Sequence, residues 1–286
     1  MRFDFRFQKY HGCGNDFIII DEMRGRRTPD MHRGKIAQRL CNRHLQVGAD
    51  GVIFVERAPG VHGSMRLFEP AGNEADMCGN GLRCVAAYLT EKLKRKNVDI
   101  LTRDGIKRVS RKGKEYIADM GIVRTMRKDL GHYLSDTGNP QDSMLRFSLD
   151  CHDRKLDCSI LNSGEPHIVV ATDDLDAVDL VAIGEEVNSQ RRRFPHGVNL
   201  NFLEVTGPHE ISVRTYERGV YDETLACGTG VTACSAAASL LGLVDKGTVT
   251  VRTTGGTIRI DLDDSGRALM TGPAVKVFEG RVRVEV

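Results

Sequence analysis

Two short stretches of this 286-residue chain combine residue types that can move a proton. Met77-Cys78-Gly79-Asn80-Gly81 and Ala226-Cys227-Gly228-Thr229-Gly230 each set a cysteine and two glycines directly ahead of a long apolar run, Leu82 to Leu93 in one case and Val231 to Val244 in the other. Each therefore reads as a thiol at a helix start. Such a start carries unpaired N–H groups and a partial positive charge, and glycine lets a ligand approach the backbone. The same position raises the thiolate fraction of a cysteine. Two such ends sharing one amino-acid carboxylate would place a sulfur on each face of its α-carbon. A thiolate would take the α-proton from one side while a thiol returned one from the other. As charge flowed into the carboxylate, the amides of Gly79, Asn80, Gly228 and Thr229 would tighten on it, each well-aimed donor contributing about 2.7–4 kcal/mol. This is racemase or epimerase chemistry with no cofactor and no metal.

The elements around the thiols occur twice. Gly12-Cys13-Gly14-Asn15-Asp16 turns into the β-branched strand Phe17 to Ile20, and Lys35 to Cys41 has helical spacing. Strands follow at Val52–Val55 and Ser64–Phe68, then Cys78, then a helix from Gly79 to about Lys94, apolar on most sides and so expected to be enclosed by protein. Short strands at Val98–Leu101, Ile106–Val109 and Tyr116–Met120 with turn residues between them predict a sheet wrapped round that helix. In the second half Asn199 leads into the strand Leu200 to Val205 as Asn15 leads into Phe17, Ser212–Tyr216 matches Ser64–Phe68, and Glu223 precedes Cys227 by the spacing at which Glu74 precedes Cys78. The cysteines lie 149 residues apart and Thr102 and Thr253 lie 151 apart, so the chain is read as an internal duplication. The last strand, Arg281 to Val286, is expected to return to the first half.

Composition narrows the rest. A net charge of +2, with the basic residues scattered, argues against a nucleic-acid partner. The N-terminus lacks the features of a signal peptide and no apolar run reaches membrane-spanning length, so a cytoplasmic protein is expected. Its eight cysteines then stay reduced, with Cys41, Cys84, Cys151, Cys158 and Cys234 as core residues. No C-x-x-C pair points to zinc.

Together, His11-Gly12-Cys13-Gly14-Asn15-Asp16-Phe17, Gly48-Ala49-Asp50-Gly51, Met77 to Cys84, Gly164-Glu165-Pro166-His167, and Tyr216-Glu217-Arg218-Gly219 with Glu223 to Gly230 resemble the diaminopimelate epimerase family over nearly the whole chain. The resemblance implies an α+β fold of two pseudo-symmetric domains, each a mostly antiparallel sheet around a central helix. The halves would be residues 1–121, rejoined by 273–286, and 122–272. It also implies a homodimer, an amino-acid substrate, no cofactor, and conversion of LL-2,6-diaminopimelate to the meso form for lysine synthesis. By the same resemblance Cys78 and Cys227 are the acid/base pair, and His167 and Glu217 support them. Asn15, Asn80, Asn199, Glu217 and Arg218 contact substrate, with Arg218 on the distal carboxylate.

Two residues depart from the family, which usually has asparagine where this chain has Glu69 and Glu165. Each would repel a nearby distal carboxylate by about 4 kcal/mol at an effective dielectric near 20, and would welcome a cationic tail. An extra residue in Val220-Tyr221-Asp222-Glu223 lengthens the loop beside them. A racemase of lysine, ornithine, arginine or histidine is therefore the alternative, and a non-catalytic anion-binding protein a more distant one.

Overall fold

The computed structural model describes residues 1–135, 138–151 and 154–286, the side chains of His132 and Arg154 excepted. In chain order the elements are β1 (Arg2–Gly12), β2 (Asn15–Glu22), α1 (Asp30–Leu40), β3 (Gly51–Glu56), β4 (Gly63–Phe68), β5 (Glu74–Ala75), α2 (Gly79–Leu93), β6 (Asn97–Thr102), β7 (Gly105–Lys112) and β8 (Glu115–Ile122). After short 3-10 turns come β9 (Phe147–Cys151), β10 (Arg154–Asn162), β11 (Pro166–Ala171), α3 (Leu180–Ser189), β12 (Asn199–Gly207), β13 (Glu210–Glu217), β14 (Asp222–Thr224) and α4 (Gly228–Leu240). The chain closes with β15 (Thr248–Thr253), β16 (Gly256–Leu262), β17 (Arg267–Pro273) and β18 (Val275–Glu285). Contacts divide it into two compact units, Met1–Asp119 with Thr271–Val286, and Met120–Met270.

In the first unit β2 and β3 run parallel, as do β4 and β6, while β1–β2, β3–β4, β4–β5 and β6–β7 are antiparallel. The C-terminal strand β18 pairs with β1 along its length, Arg2 opposite Glu285 and Phe7 opposite Gly280. α2 packs against β1, β2, β4, β6, β7 and β18, and every residue from Gly79 to Thr90 is buried. That all-round burial is why its sequence shows no polar face. α1 lies on the other side of the sheet, where Ile36, Ala37 and Leu40 pack with Phe5, Ile18, Ile20, Val52 and Phe54.

The second unit repeats the plan. β11–β12 and β13–β15 are parallel, and β12–β13, β13–β14 and β15–β16 antiparallel. α4 packs against β10, β11, β12, β13, β15 and β16, with Gly228 to Ala238 all buried. Its small side chains let the strands close on it. Its hydroxyls bond within the helix, Thr232 Oγ1 donating to the Gly228 carbonyl at 2.8 Å and Ser235 Oγ to that of Val231 at 2.9 Å, which removes the cost of burying them.

Strand register corrects one equivalence drawn from the sequence. β12, which Asn199 opens, corresponds to β3 and not to β2, because Leu200 faces Tyr216 as Val52 faces Phe68. The true counterpart of β2 is β11, where His167 faces Asn199 as Phe17 faces Gly51. Sequence pattern misled here because Asn15 and Asn199 both stand ahead of an apolar strand, and only pairing tells the two apart. The extra residue of the β13–β14 loop is absorbed at Tyr221, which takes φ +57° while its N–H bonds the Glu217 carbonyl at 2.8 Å.

Candidate active site

Cys78 is the N-cap of α2, and its extended backbone turns the sulfur back onto the helix end. Sγ accepts from the Gly81 N–H at 3.5 Å and lies 3.6 Å from Asn15 Oδ1. Asn15 has its amide orientation fixed, since its Nδ2 donates to Asp50 Oδ2 at 2.9 Å, so Oδ1 is the group that meets the thiol. The sulfur thus has an N–H to bond as thiolate and a carbonyl to bond as thiol, as a residue that alternates between base and acid requires. Asn80 Nδ2 shares the same Asn15 oxygen at 3.3 Å, and Arg83 Nη2 holds Asn80 Oδ1 at 2.7 Å. Arg83, fully buried and bonded also to the Pro273 carbonyl at 3.2 Å, went unread in the sequence because it lies inside the apolar run Leu82 to Val85. A buried arginine one turn into a helix was the available signal. Burial pushes the Cys13 thiol up against the pull of Arg83, keeping it protonated.

Cys227 caps α4 without a side-chain capping bond, and its sulfur lies 3.4 Å from Thr229 Oγ1, a hydroxyl able to donate or accept. Ser163 Oγ donates to the Thr229 carbonyl at 2.8 Å, tying the turn that carries Glu165 and leads into His167 on β11 to the first turn of α4. Asn199, 2 % exposed, accepts the Arg218 N–H at 2.8 Å and donates to the Pro166 carbonyl at 3.0 Å, so it pins the Glu217–Arg218 turn against β11. The Glu217 carboxylate accepts from Thr224 Oγ1 at 2.9 Å. The Arg218 guanidinium forms an ion pair with Glu165 and lies 5.4 Å from the Tyr133 ring centroid. Glu69, in the first unit, accepts a hydrogen bond from the Asn73 side chain.

The remaining sequence-assigned core cysteines are buried as expected, and burial pushes the thiols of Cys41 and Cys158 up to about 12 and raises Cys84 and Cys234 as well.

His167 has no exposed surface, and burial pushes it down to about 3, with the Arg218 charge acting in the same direction. Its folded value lies below the unfolded one, so the unfolded chain binds the extra proton. The stabilisation is complete above the ordinary histidine value of 6.5 and is lost as pH falls toward 3, at about 1.4 kcal/mol per pH unit. Urea unfolding of wild type and His167→Phe at pH 7 and pH 5 should therefore show wild type losing about 2 kcal/mol relative to the variant.

With this geometry in place, the solved structures that the fold resembles can be set beside it. A hydroxyproline epimerase from Agrobacterium vitis superposes with a TM-score of 0.70 at 14% identity, covering 99% of this chain and 94% of that one. A PhzF-family phenazine biosynthesis protein from Bacillus anthracis gives 0.68 at 17%, covering 98% and 99%. The fold is therefore the α+β one shared by these proteins. The sequence model of diaminopimelate epimerase matches residues 7–126 and 159–277, and the chain belongs to that family. It is 37% identical over 283 residues to the diaminopimelate epimerase of Methanocella arvoryzae and 38% over 285 to that of Methanothrix thermoacetophila, covering 98% of this chain and 97% and 96% of theirs.

Proposed function

We propose that this protein epimerises LL-2,6-diaminopimelate to the meso form, inverting one α-carbon without a cofactor. The observation that carries the proposal is the matched pair of thiols, each at the start of a helix buried through its first turns, each with a group to bond it as thiol and as thiolate. The chemistry requires one thiol for each face of the reacting carbon. Cys78 and Cys227 exchange the roles of base and acid with the direction of reaction. Backbone amides of Gly79, Asn80, Gly228 and Thr229 hold the α-carboxylate and stabilise the charge that develops on it. Asn15, Asn80 and Asn199 orient the substrate, His167 and Glu217 support the thiols, and Arg218 takes the distal carboxylate in a charge-assisted pair.

The pairing of Glu165 with Arg218 favours this substrate over a basic amino acid. A carboxylate that already neutralises arginine is not left to read a cationic tail. Incubating purified protein with LL-diaminopimelate, lysine, ornithine, arginine and histidine, and resolving the isomers by chiral chromatography, tests the reading. Meso-diaminopimelate should form, and turnover of the basic amino acids alone would overturn it.

The cytoplasm, where thiols stay reduced, is the compartment this chemistry calls for. Among the described residues no helix is long and apolar enough to cross a membrane. The enzyme acts as a homodimer, with exposed Val275, Val277 and Phe278 on β18 as the apolar surface that a second copy would cover. Val277→Arg should halve the mass measured by light scattering, and a wild type of monomer mass would remove this part of the proposal.

A further inference from the structure

The two units carry opposite chemistry at three equivalent places. In the first, Phe17 on β2, Ile53 on β3 and Met65 on β4 lie against the first turn of α2, a Cβ added at Gly81 coming within 3.5, 3.2 and 3.0 Å of them, and Leu67 faces Ile53 across β3 and β4. By register the counterparts of Phe17, Ile53 and Leu67 are His167 on β11, Asn201 on β12 and Thr215 on β13. A Cβ added at Gly230, the counterpart of Gly81, would lie 2.6 Å from Asn201 Oδ1 and 3.2 Å from both Thr215 Oγ1 and the Cβ of Cys227. The apolar trio shows that this position can be filled by hydrocarbon. A fully buried polar trio in its place is costly unless every group is bonded.

The bonds have only one consistent assignment. Asn201 Nδ2 lies 2.9 Å from the Ile168 carbonyl, which can only accept, and Thr215 Oγ1 donates to Asn201 Oδ1 at 2.9 Å. The amide is therefore oriented with its NH₂ toward His167. One amide hydrogen serves Ile168, and the other points at His167 Nδ1, 3.1 Å away. Nδ1 must accept, so the ring proton sits on Nε2 and the imidazolium, with hydrogens on both nitrogens, is excluded. Nε2 is buried and, among the described residues, has no hydrogen-bond partner. The charge bearing on the ring is that of Arg218, which opposes protonation and is itself paired with Glu165, and the titratable group at the start of α4 is Cys227.

We propose that Asn201, seated by Thr215 and the Ile168 carbonyl, is a positioning residue that fixes His167 as the neutral Nε2–H tautomer, so that the ring offers a ligand a hydrogen-bond donor and never a base. Where the epimerase reading sets His167 beside a thiol, a neutral donor helps to hold an anion without competing with the cysteines for the substrate proton. An imidazolium there would instead stabilise one thiolate permanently and bias the exchange of roles. The kinetic part of this inference rests on the epimerase reading; the tautomer does not.

The test is 15N NMR of histidine-labelled protein, with the His167 signals assigned by their loss in His167→Phe, over about pH 5 to 8. Wild type should show a bare, accepting Nδ1 and a protonated Nε2 throughout. In Asn201→Asp an acceptor replaces the donor, so the ring should move to the Nδ1–H or imidazolium form and titrate within that range, with kcat down on the order of 10- to 100-fold and KM little changed. Thr215→Val should give mixed tautomers and a smaller loss, and Thr215→Ser should restore the wild-type spectrum and rate; this pair decides the matter if Asn201→Asp does not fold. An Nδ1–H or charged His167 in wild type overturns the proposal, as does a wild-type spectrum in both Asn201→Asp and Thr215→Val. A wild type without epimerase activity would sink the functional reading and leave the tautomer to be judged on its spectrum.

Discussion

Cys78→Ala and Cys227→Ala should each lower kcat/KM for the interconversion of LL- and meso-diaminopimelate by about 10³-fold or more. A positioned acid or base contributes roughly 10²–10⁴-fold, and here each direction needs both. The two variants should differ in stability. The Cys78 sulfur caps α2 through the Gly81 N–H, and losing a cap costs about 1 kcal/mol, whereas Cys227 makes no such bond. Thermal melts should therefore place Cys78→Ala below Cys227→Ala while both are inactive. Activity close to wild type in both, with only stability reduced, would make the cysteines structural.

The second large effect is expected at the distal end of the substrate. Arg218→Ala should raise KM for diaminopimelate roughly 10- to 100-fold, since a hydrogen bond to a charged group contributes about 1.5–3 kcal/mol. Glu165→Gln should act the other way. Side chains of the Arg218–Glu165 pair are 23% and 29% exposed, so the pair is solvent-screened and contributes at most about 1 kcal/mol; releasing the guanidinium should lower KM about two- to fivefold. If the substrate were a basic amino acid, Glu165→Gln would raise its KM and Arg218→Ala would lower it. Steady-state kinetics on the two variants with diaminopimelate and lysine therefore separates the two substrate classes.

Much of this molecule is legible from its sequence because its signals are local. Cysteine and glycine ahead of an apolar run placed both helix starts, and the Gly79–Leu93 helix was expected nearly to the residue because a helix buried on all sides needs a continuous apolar run. Pairing was not legible. Whether a β-branched strand corresponds to β2 or β3 depends on which neighbour bonds it, and the Asn199 strand was matched to the wrong one for that reason. Nor were the partners of long side chains. Glu165 reads as a bare negative charge until its pairing with Arg218 is seen, and Asn201 reads as an ordinary strand residue until register sets it opposite Thr215 and beside the His167 ring.

The exchange of hydrogen at the α-carbon tests the two-thiol mechanism most directly. LL-Diaminopimelate carrying ordinary hydrogen, incubated with the wild-type enzyme in heavy water and no added cofactor, should yield meso product with solvent deuterium at the inverted centre, while the LL isomer recovered early in the reaction keeps its protium. Meso product that retained the original protium would mean a single base returning its own proton, and would contradict the account.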